Sequence, residues 1–341
     1  MERSQVRPVM GILMGDPAGI GPEVALKSAV DESVCEVCRP LLVGSYAVFE
    51  AMRQQLGLDA RLERVAEDEI GDVAAIWAAA QTGGAPAIPV ADVVGDDAPV
   101  PMGAVSKEAG AVAARMIRAA FDLATSGRVD ALAMAPLTKE SLALAEGYPS
   151  EFELFEAITG REDVRAVVKW GNLLRTTVTE HTAFRNIVSR LTPGRIVTAT
   201  EQLVAMMRRL GMEQPRVAVA ALNPHGGEGG LFGDEERTII TPAIEALAER
   251  GIVVRGPVPA DTVFVRAMRG EFDGVTFLYH DQGNIAMKTA AFGEGVVIYA
   301  GLPLTIVTPG HGSALDIAGK GIANPGNMIE AVKTAAMLAG R

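Results

Sequence analysis

Residues 9–30 read VMGILMGDPAGIGPEVALKSAV, and their order decides the class of fold. Val9 to Met14 is an unbroken apolar run of strand length, the pattern of a strand buried on both faces. Glu23 to Val30 has helical spacing, and the glycine-rich stretch between them is a tight connection. The same alternation continues along the chain. Leu41 to Val43, Ala131 to Ala135, Ala166 to Trp170, Val217 to Leu222, Val275 to Tyr279 and Val296 to Tyr299 read as further buried strands. Lys107 to Thr125, Glu201 to Leu210, Glu235 to Arg250 and Met328 to Ala339 read as helices, the first bounded by a Ser106 N-cap and by Gly127. Strands alternating with helices predict an α/β protein with parallel layers. With 341 residues, 49% of them hydrophobic, the chain is long enough for two α/β/α lobes with a cleft between them. The Pro/Gly-rich stretch 82–101 reads as a loop or an edge hairpin, and no linker separates the lobes, so crossing strands are expected to join them.

Composition excludes several classes. A net charge of −11 with no basic run offers no footprint for a nucleic-acid backbone. No apolar run approaches the roughly 20 residues of a spanning helix, and the polar start leaves no room for a signal-peptide core, so a cytoplasmic protein is expected. The two cysteines, Cys35 and Cys38, form a lone C-x-x-C without a second Cys or His pair nearby, and read as ordinary reduced thiols.

Histidine is the informative residue. Four occur, all close to strand-like runs: His181 in T-E-H-T, His225 in N-P-H-G-G, His280 in Y-H-D-Q-G and His311 in P-G-H-G-S. Ligands bind at strand ends in α/β sheets, and imidazoles distant in sequence can converge on one divalent ion. His181, His225 and His280 would leave coordination positions open, as a catalytic metal requires. His311 opens a different loop, His311 to Pro325, with the sequence HGSALDIAGKGIANP.

That loop resembles the adenine-binding loop of isopropylmalate and isocitrate dehydrogenases, and Gly15 to Glu23 is similar to their G-D-G-I-G-P-E segment. The complete set G-D-P-A-G-I-G-P-E, A-P-L-T-K, N-P-H-G-G-E-G-G-L-F-G, P-A-D-T, Y-H-D-Q-G and H-G-S-A-L-D-I-A-G resembles the PdxA family of 4-hydroxythreonine-4-phosphate dehydrogenases from Gly15 to Gly319. The resemblance implies an isocitrate/isopropylmalate dehydrogenase-like fold and a homodimer with the active site at its interface. It also implies NAD or NADP as hydride acceptor, and a divalent metal, with zinc favoured, on His181, His225 and His280. It divides the chain into residues 1–134 plus 302–341, with the cofactor loop, and 135–301, with the metal ligands and dimer interface. Gly15, Asp16, His311, Gly312, Ser313, Asp316 and Asn324 are the implied cofactor contacts. Asp281, Asp261 and Lys139 are candidate catalytic groups, the two acids as proton carriers or as orienters of metal ligands.

For the substrate, the family's phosphate-holding positions fall on Pro149, Ser150, Lys288, Val297 and Ile306. Three of these are apolar here, and a phosphate dianion wants charge-assisted donors. The expectation is therefore a flat, non-phosphorylated cis-dihydrodiol carboxylate in an apolar pocket, as in the terephthalate dihydrodiol branch of the family, which Gly147 to Ser150 and Pro309 to Ser313 resemble. Oxidation of a secondary alcohol and decarboxylation of the resulting β-keto acid would serve aromatic degradation. The alternatives are a 4-phosphohydroxy-L-threonine dehydrogenase of vitamin B6 biosynthesis, or a non-catalytic metal or sugar-acid binding protein.

Overall fold

The computed structural model describes residues 7–66, 70, 73–80, 87–95, 100–290 and 295–340. The elements run β1 (Val9–Leu13), α1 (Gly21–Ala29), α2 (Glu32–Cys35), β2 (Arg39–Gly44), α3 (Tyr46–Leu56), β3 (Arg61–Ala66), α4 (Val73–Ala80) and β4 (Ala87–Asp92). Next come α5 (Lys107–Thr125), β5 (Ala131–Met134), α6 (Lys139–Glu146), α7 (Glu151–Thr159), β6 (Arg165–Trp170), β7 (Leu173–Thr179), α8 (Ile187–Arg190) and α9 (Pro193–Arg209). The chain ends with β8 (Val217–Ala220), α10 (Thr241–Glu249), β9 (Val254–Val258), α11 (Ala260–Met268), β10 (Gly274–Tyr279), α12 (His280–Ala290), β11 (Val296–Ala300), β12 (Ile306–Pro309) and α13 (Gly326–Ala339). None of the described helices is long and apolar enough to cross a membrane.

The chain forms two compact units, residues 1–164 with 302–341, and residues 165–301. Residues 135–164, which the sequence reading assigned to the second lobe, fold with the first. Gly110 shows why: a Cβ there would lie 1.9 Å from the Ser141 carbonyl oxygen, so α5 and α6 pack backbone to backbone, and Arg118 adds a 2.6 Å ion pair to Glu146.

In the first unit the strand order is β3-β4-β2-β1-β5-β12, with every pair parallel. The stretch read as a loop or edge hairpin instead supplies β4, an internal strand buried at all six positions; residues 82–86 and 96–99 lie outside the described residues. Helices α1, α3 and α13 pack together against one face. Helix α5 covers β1, β2 and β5 and, by the right-handed crossover rule, lies on the other face. Ser106 Oγ accepts from Ala109 N as N-cap of α5, and Gly127 takes a left-handed φ of 73° just past its end, both as the sequence implies.

The second unit orders its strands β11-β6-β7-β10-β8-β9. Here a purely parallel expectation needs correction, because β6 runs antiparallel to both β11 and β7. The tight Trp170-to-Leu173 connection permits no crossover helix, so β6 and β7 form a hairpin. Alternation along β8 sends Val219 into a core with α9 and α10, and Ala218 and Ala220 into a core with α11 and α12.

Candidate functional site

In the first unit the chain runs from β1 to β2 on one side and later returns to place β5 on the other. This is a topological switch point, where open α/β sheets bind ligands beyond the carboxyl ends of their strands. Three loops meet there. Asp16 N donates to the Pro136 carbonyl at 2.9 Å, and a Cβ on Gly15 would fall 2.6 Å from that same oxygen, which explains glycine at a φ of 73°. Ile20 N donates to the Ser313 carbonyl at 2.9 Å, and Gly19 lets that residue approach. Glu23, wholly buried, accepts from Lys27 Nζ at 2.7 Å and from Ala323 N at 2.8 Å, while Lys27 also donates to the carbonyls of Gly321 and Ala323. The last residue of the G-I-G-P-E motif thus pins the far end of the His311 to Pro325 loop to α1. In the sequence, only the lysine four residues on signals a role for that glutamate.

The seven cofactor positions divide by burial. His311, Gly312, Asp316 and Asn324 face outward in whole or part, and Gly312 has open space where a Cβ would stand. Asn324 Oδ1 is engaged in a 2.9 Å bond from Gly326 N at the start of α13. Gly15, Asp16 and Ser313 are buried. Burial raises the Asp16 carboxyl above its ordinary value, against the opposing bonds from Thr138 and Ala18 N, and its Oδ2 has no hydrogen-bond partner among the described residues. Outward side chains, a glycine with space above it and a spare buried acceptor fit an elongated polar ligand such as a dinucleotide.

In the second unit β7, β10 and β8 are adjacent and parallel, and each is followed at its carboxyl end by a histidine: His181, His280 and His225. The motif Y-H-D-Q-G reads directly off this arrangement. His280 opens α12, and its Nδ1 lies 2.7 Å from Asp281 Oδ1, which leaves Nε2 outward. Gln282 accepts from Leu278 N and donates to the Ala221 carbonyl, both at 2.7 Å, tying the ends of β10 and β8 together. A Cβ on Gly283 would be 2.6 Å from the Phe277 ring, so only glycine lets α12 lie on its own strand. Asn284 Nδ2 donates to the His280 carbonyl at 2.9 Å and its Oδ1 accepts from Arg175 at 2.8 Å. Arg175 stacks 5.5 Å over Phe277, and burial pulls its guanidinium down to about 10.

The His181 and His280 rings lie 5.2 Å apart, centroid to centroid. His225 sits in the N-P-H-G-G-E-G-G loop, where residues 225–230 all have positive φ, a turn of left-handed helix. That loop wraps the buried Glu236 carboxylate, which accepts from Leu222 N at 2.8 Å, Asn223 N at 2.7 Å and Asn223 Nδ2 at 2.9 Å. Burial opposes the charge on Glu236, but these donors outweigh it and hold the carboxyl below its ordinary value. The two rings are a fitting start for a divalent metal. However, no three His, Cys, Asp or Glu groups among the described residues are gathered closely enough to hold an ion, so His225 does not complete the set within one chain.

The remaining positions scatter. Asp261 is exposed in the first turn of α11, and Lys288 is exposed in the last turn of α12 with no partner among the described residues. Lys139 lies 3.9 Å from Glu151. Ser150 is buried as N-cap of α7, with its hydroxyl on Phe152 N and Glu153. Pro149 is exposed, Val297 pairs with Val168 in β11, and Ile306 has no exposed surface in β12. Of the three, Ile306 is sealed in the core and cannot wall a pocket in this chain, whereas Pro149 and Val297 keep exposed surface. Arg175, Asn284, Gln282 and Glu236 were missed because single polar residues carry no pattern until strands bring them together. Cys38 is buried, its thiol pushed up to about 12 by burial, and both cysteines are free.

Residues 36–335 match the family described as pyridoxal phosphate biosynthetic protein PdxA. The chain belongs to the PdxA family. It is 38% identical to the D-threonate 4-phosphate dehydrogenase of Cupriavidus necator over 99% of both chains. It is 39% identical to the 4-hydroxythreonine-4-phosphate dehydrogenase of Desulfosudis oleivorans over 96% of this chain and 95% of that one. The crystal structure of 4-hydroxythreonine-4-phosphate dehydrogenase from Klebsiella pneumoniae superimposes with a TM-score of 0.82 at 36% identity, covering 99% of this chain and 100% of the other. The terephthalate 1,2-cis-dihydrodiol dehydrogenase of Burkholderia xenovorans is more distant, at 26% identity and a TM-score of 0.67 over 97% of this chain and 98% of that one. This ranking overturns the expectation of a dihydrodiol substrate and a role in aromatic degradation, together with the closer likeness to that branch. The relatives are dehydrogenases, which supports an oxidoreductase.

Proposed function

We propose that the chain is an NAD(P)-dependent dehydrogenase of a four-carbon hydroxy acid 4-phosphate, of the D-threonate 4-phosphate or 4-hydroxythreonine-4-phosphate kind. The observation that carries this reading is the whole-chain identity to enzymes of those names. In such an acid the secondary alcohol is β to the carboxylate. Its carbon gives a hydride to the nicotinamide and its oxygen loses a proton, leaving a ketone. The carboxylate then leaves as CO2, and the electron pair of the broken C–C bond forms an enolate that takes up a proton.

The switch-point loops of the first unit are the proposed dinucleotide site, with His311, Gly312, Asp316 and Asn324 on its open side. In the second unit Lys288 is a free cation proposed for a substrate anion, and Asp281 fixes the His280 ring. Asp261 stays as a proposed proton carrier, and Lys139 as a proposed catalytic group. A divalent metal, with zinc favoured, is proposed on His181 and His280 with His225 as third ligand; such an ion supplies Lewis-acid polarisation of an alcohol or carbonyl oxygen. The open three-histidine set supports a homodimer in which a second copy completes it. So does the apolar surface near it, where Phe184 is 78% exposed, Leu231 73% and Ile285 66%.

The test is the initial rate of NAD+ and NADP+ reduction with each phosphorylated acid and with its unphosphorylated counterpart. Turnover of a phosphorylated acid, lost with a chelator and regained with zinc, is expected. No reduction with either phosphorylated acid refutes the reading.

A further inference from the structure

Thr138 stands at the N-cap of α6, a position where a threonine hydroxyl ordinarily accepts a bond from the first helical turn, yet it makes no such bond. Its Oγ1 lies instead 2.6 Å from Ser313 Oγ, with both residues buried. A hydroxyl has one proton to give. Here the two hydroxyls are engaged with each other, so the pair ties the loop that follows β5 to the loop that follows β12. The next residue, Ala314, has a φ of 42°, a left-handed backbone that only surrounding structure holds in a residue with a side chain. Gly19 and the bond from Ile20 N grip Ser313 from the backbone side.

We infer that Thr138 and Ser313 are positioning residues: a buried lock that fixes the shape of the 311–318 loop so that its outward groups bind the dinucleotide, without themselves touching it. The inference rests on the dinucleotide reading above for its ligand, and on the loop geometry alone for the lock. Helix α6 forgoes its cap to make this bond, and each hydroxyl is engaged by the other rather than left open to a ligand.

The experiment is a double-mutant cycle on Thr138→Val and Ser313→Ala, read by calorimetric titration with NAD+ and NADP+ and by hydrogen exchange of residues 311–318 in the free protein. Each single change is expected to raise the dinucleotide Kd about three- to tenfold by removing one hydrogen bond from the loop's preferred state. The double variant should be no worse than the weaker single, because the shared bond is lost once. Exchange of the loop should quicken in all three, and Thr138→Ser should restore wild-type values in both readouts. Three results would overturn the inference: multiplying effects of the two changes; a Kd raised by Ser313→Ala but not by Thr138→Val, which marks Ser313 as a direct contact; or a lowered Tm with Kd and loop exchange unchanged. If wild-type protein binds neither dinucleotide, the functional reading fails, while the exchange measurement still decides whether the lock exists.

Discussion

Replacing Glu236 by Gln tests whether one carboxylate holds the left-handed loop that carries His225. In the native protein Glu236 is 6% exposed and accepts the three bonds from Leu222 and Asn223. Gln keeps the shape but sets an amide NH2 against Asn223 Nδ2, so one bond becomes donor facing donor while the other two lose their charge assistance. With charged bonds contributing ~1.5–3 kcal/mol and neutral ones ~0.5–1.5, one lost bond and two weakened ones give a net loss of about 3.5–6 kcal/mol. At pH 7.5 that corresponds to a fall in Tm of roughly 7–24 °C for the unit involved. The pH dependence has a definite sign. A carboxyl held below its ordinary 4.5 contributes stability that is complete above that value and is lost as pH falls through the folded one, so wild type and variant should converge on acidification. Differential scanning fluorimetry from pH 3.5 to 7.5 measures this. A gap that stays constant over the range, or one of under about 1 kcal/mol at pH 7.5, refutes the assignment of Glu236 as the anchor.

Gly227, at a φ of 80° with its Cβ position 2.8 Å from Glu236 Oε2, should tolerate Ala poorly. A destabilisation of about 1–3 kcal/mol is expected from the left-handed backbone and the clash, and wild-type stability would contradict the geometry. Asn284→Leu should free the His280 carbonyl and the Arg175 guanidinium together, costing about 2–3 kcal/mol because Arg175 stays buried without its partner; unfolding of an Arg175→Leu, Asn284→Leu double variant should show less than the sum of the single effects. Lys288→Met should raise the Michaelis constant for a phosphorylated acid at least tenfold while leaving that for the dinucleotide within twofold, by loss of one charge-assisted contact of about 1.5–3 kcal/mol.

How much of this was legible in the sequence depends on whether a residue's signal is local. Helix α5 is read with the right ends because Ser106 and Gly127 announce them. Strands β1, β5 and β10 are read as apolar runs because both faces are buried. Strand β4 was hidden by the prolines and glycines around it, and β7 by its threonines: Thr176, Thr177 and Thr179 look polar, yet all are buried with hydroxyls bonded to backbone carbonyls. The histidines stood out by their scarcity. The groups that hold them, Gln282, Asn284 and Glu236, did not, since each has a partner distant in sequence: the Ala221 carbonyl, the Arg175 side chain, and the backbone of Leu222 and Asn223.

The mistaken substrate has a physical origin in the same distinction. Three apolar residues at family phosphate positions suggested an apolar ring, an argument that assumes each position still faces the ligand. Ile306 is sealed within β12 beside Leu132, and Val297 is half-buried opposite Val168, so their character answers to strand packing. An apolar residue in a strand is evidence about the core first and about a ligand only when its exposure is known. Cations that could meet a phosphate need no strand position: Lys288 lies on an exposed helix end, where packing demands nothing of it. Packing neither requires nor opposes a charge there, so the Lys288→Met measurement above, and not the residue's position, decides whether it meets the proposed substrate anion.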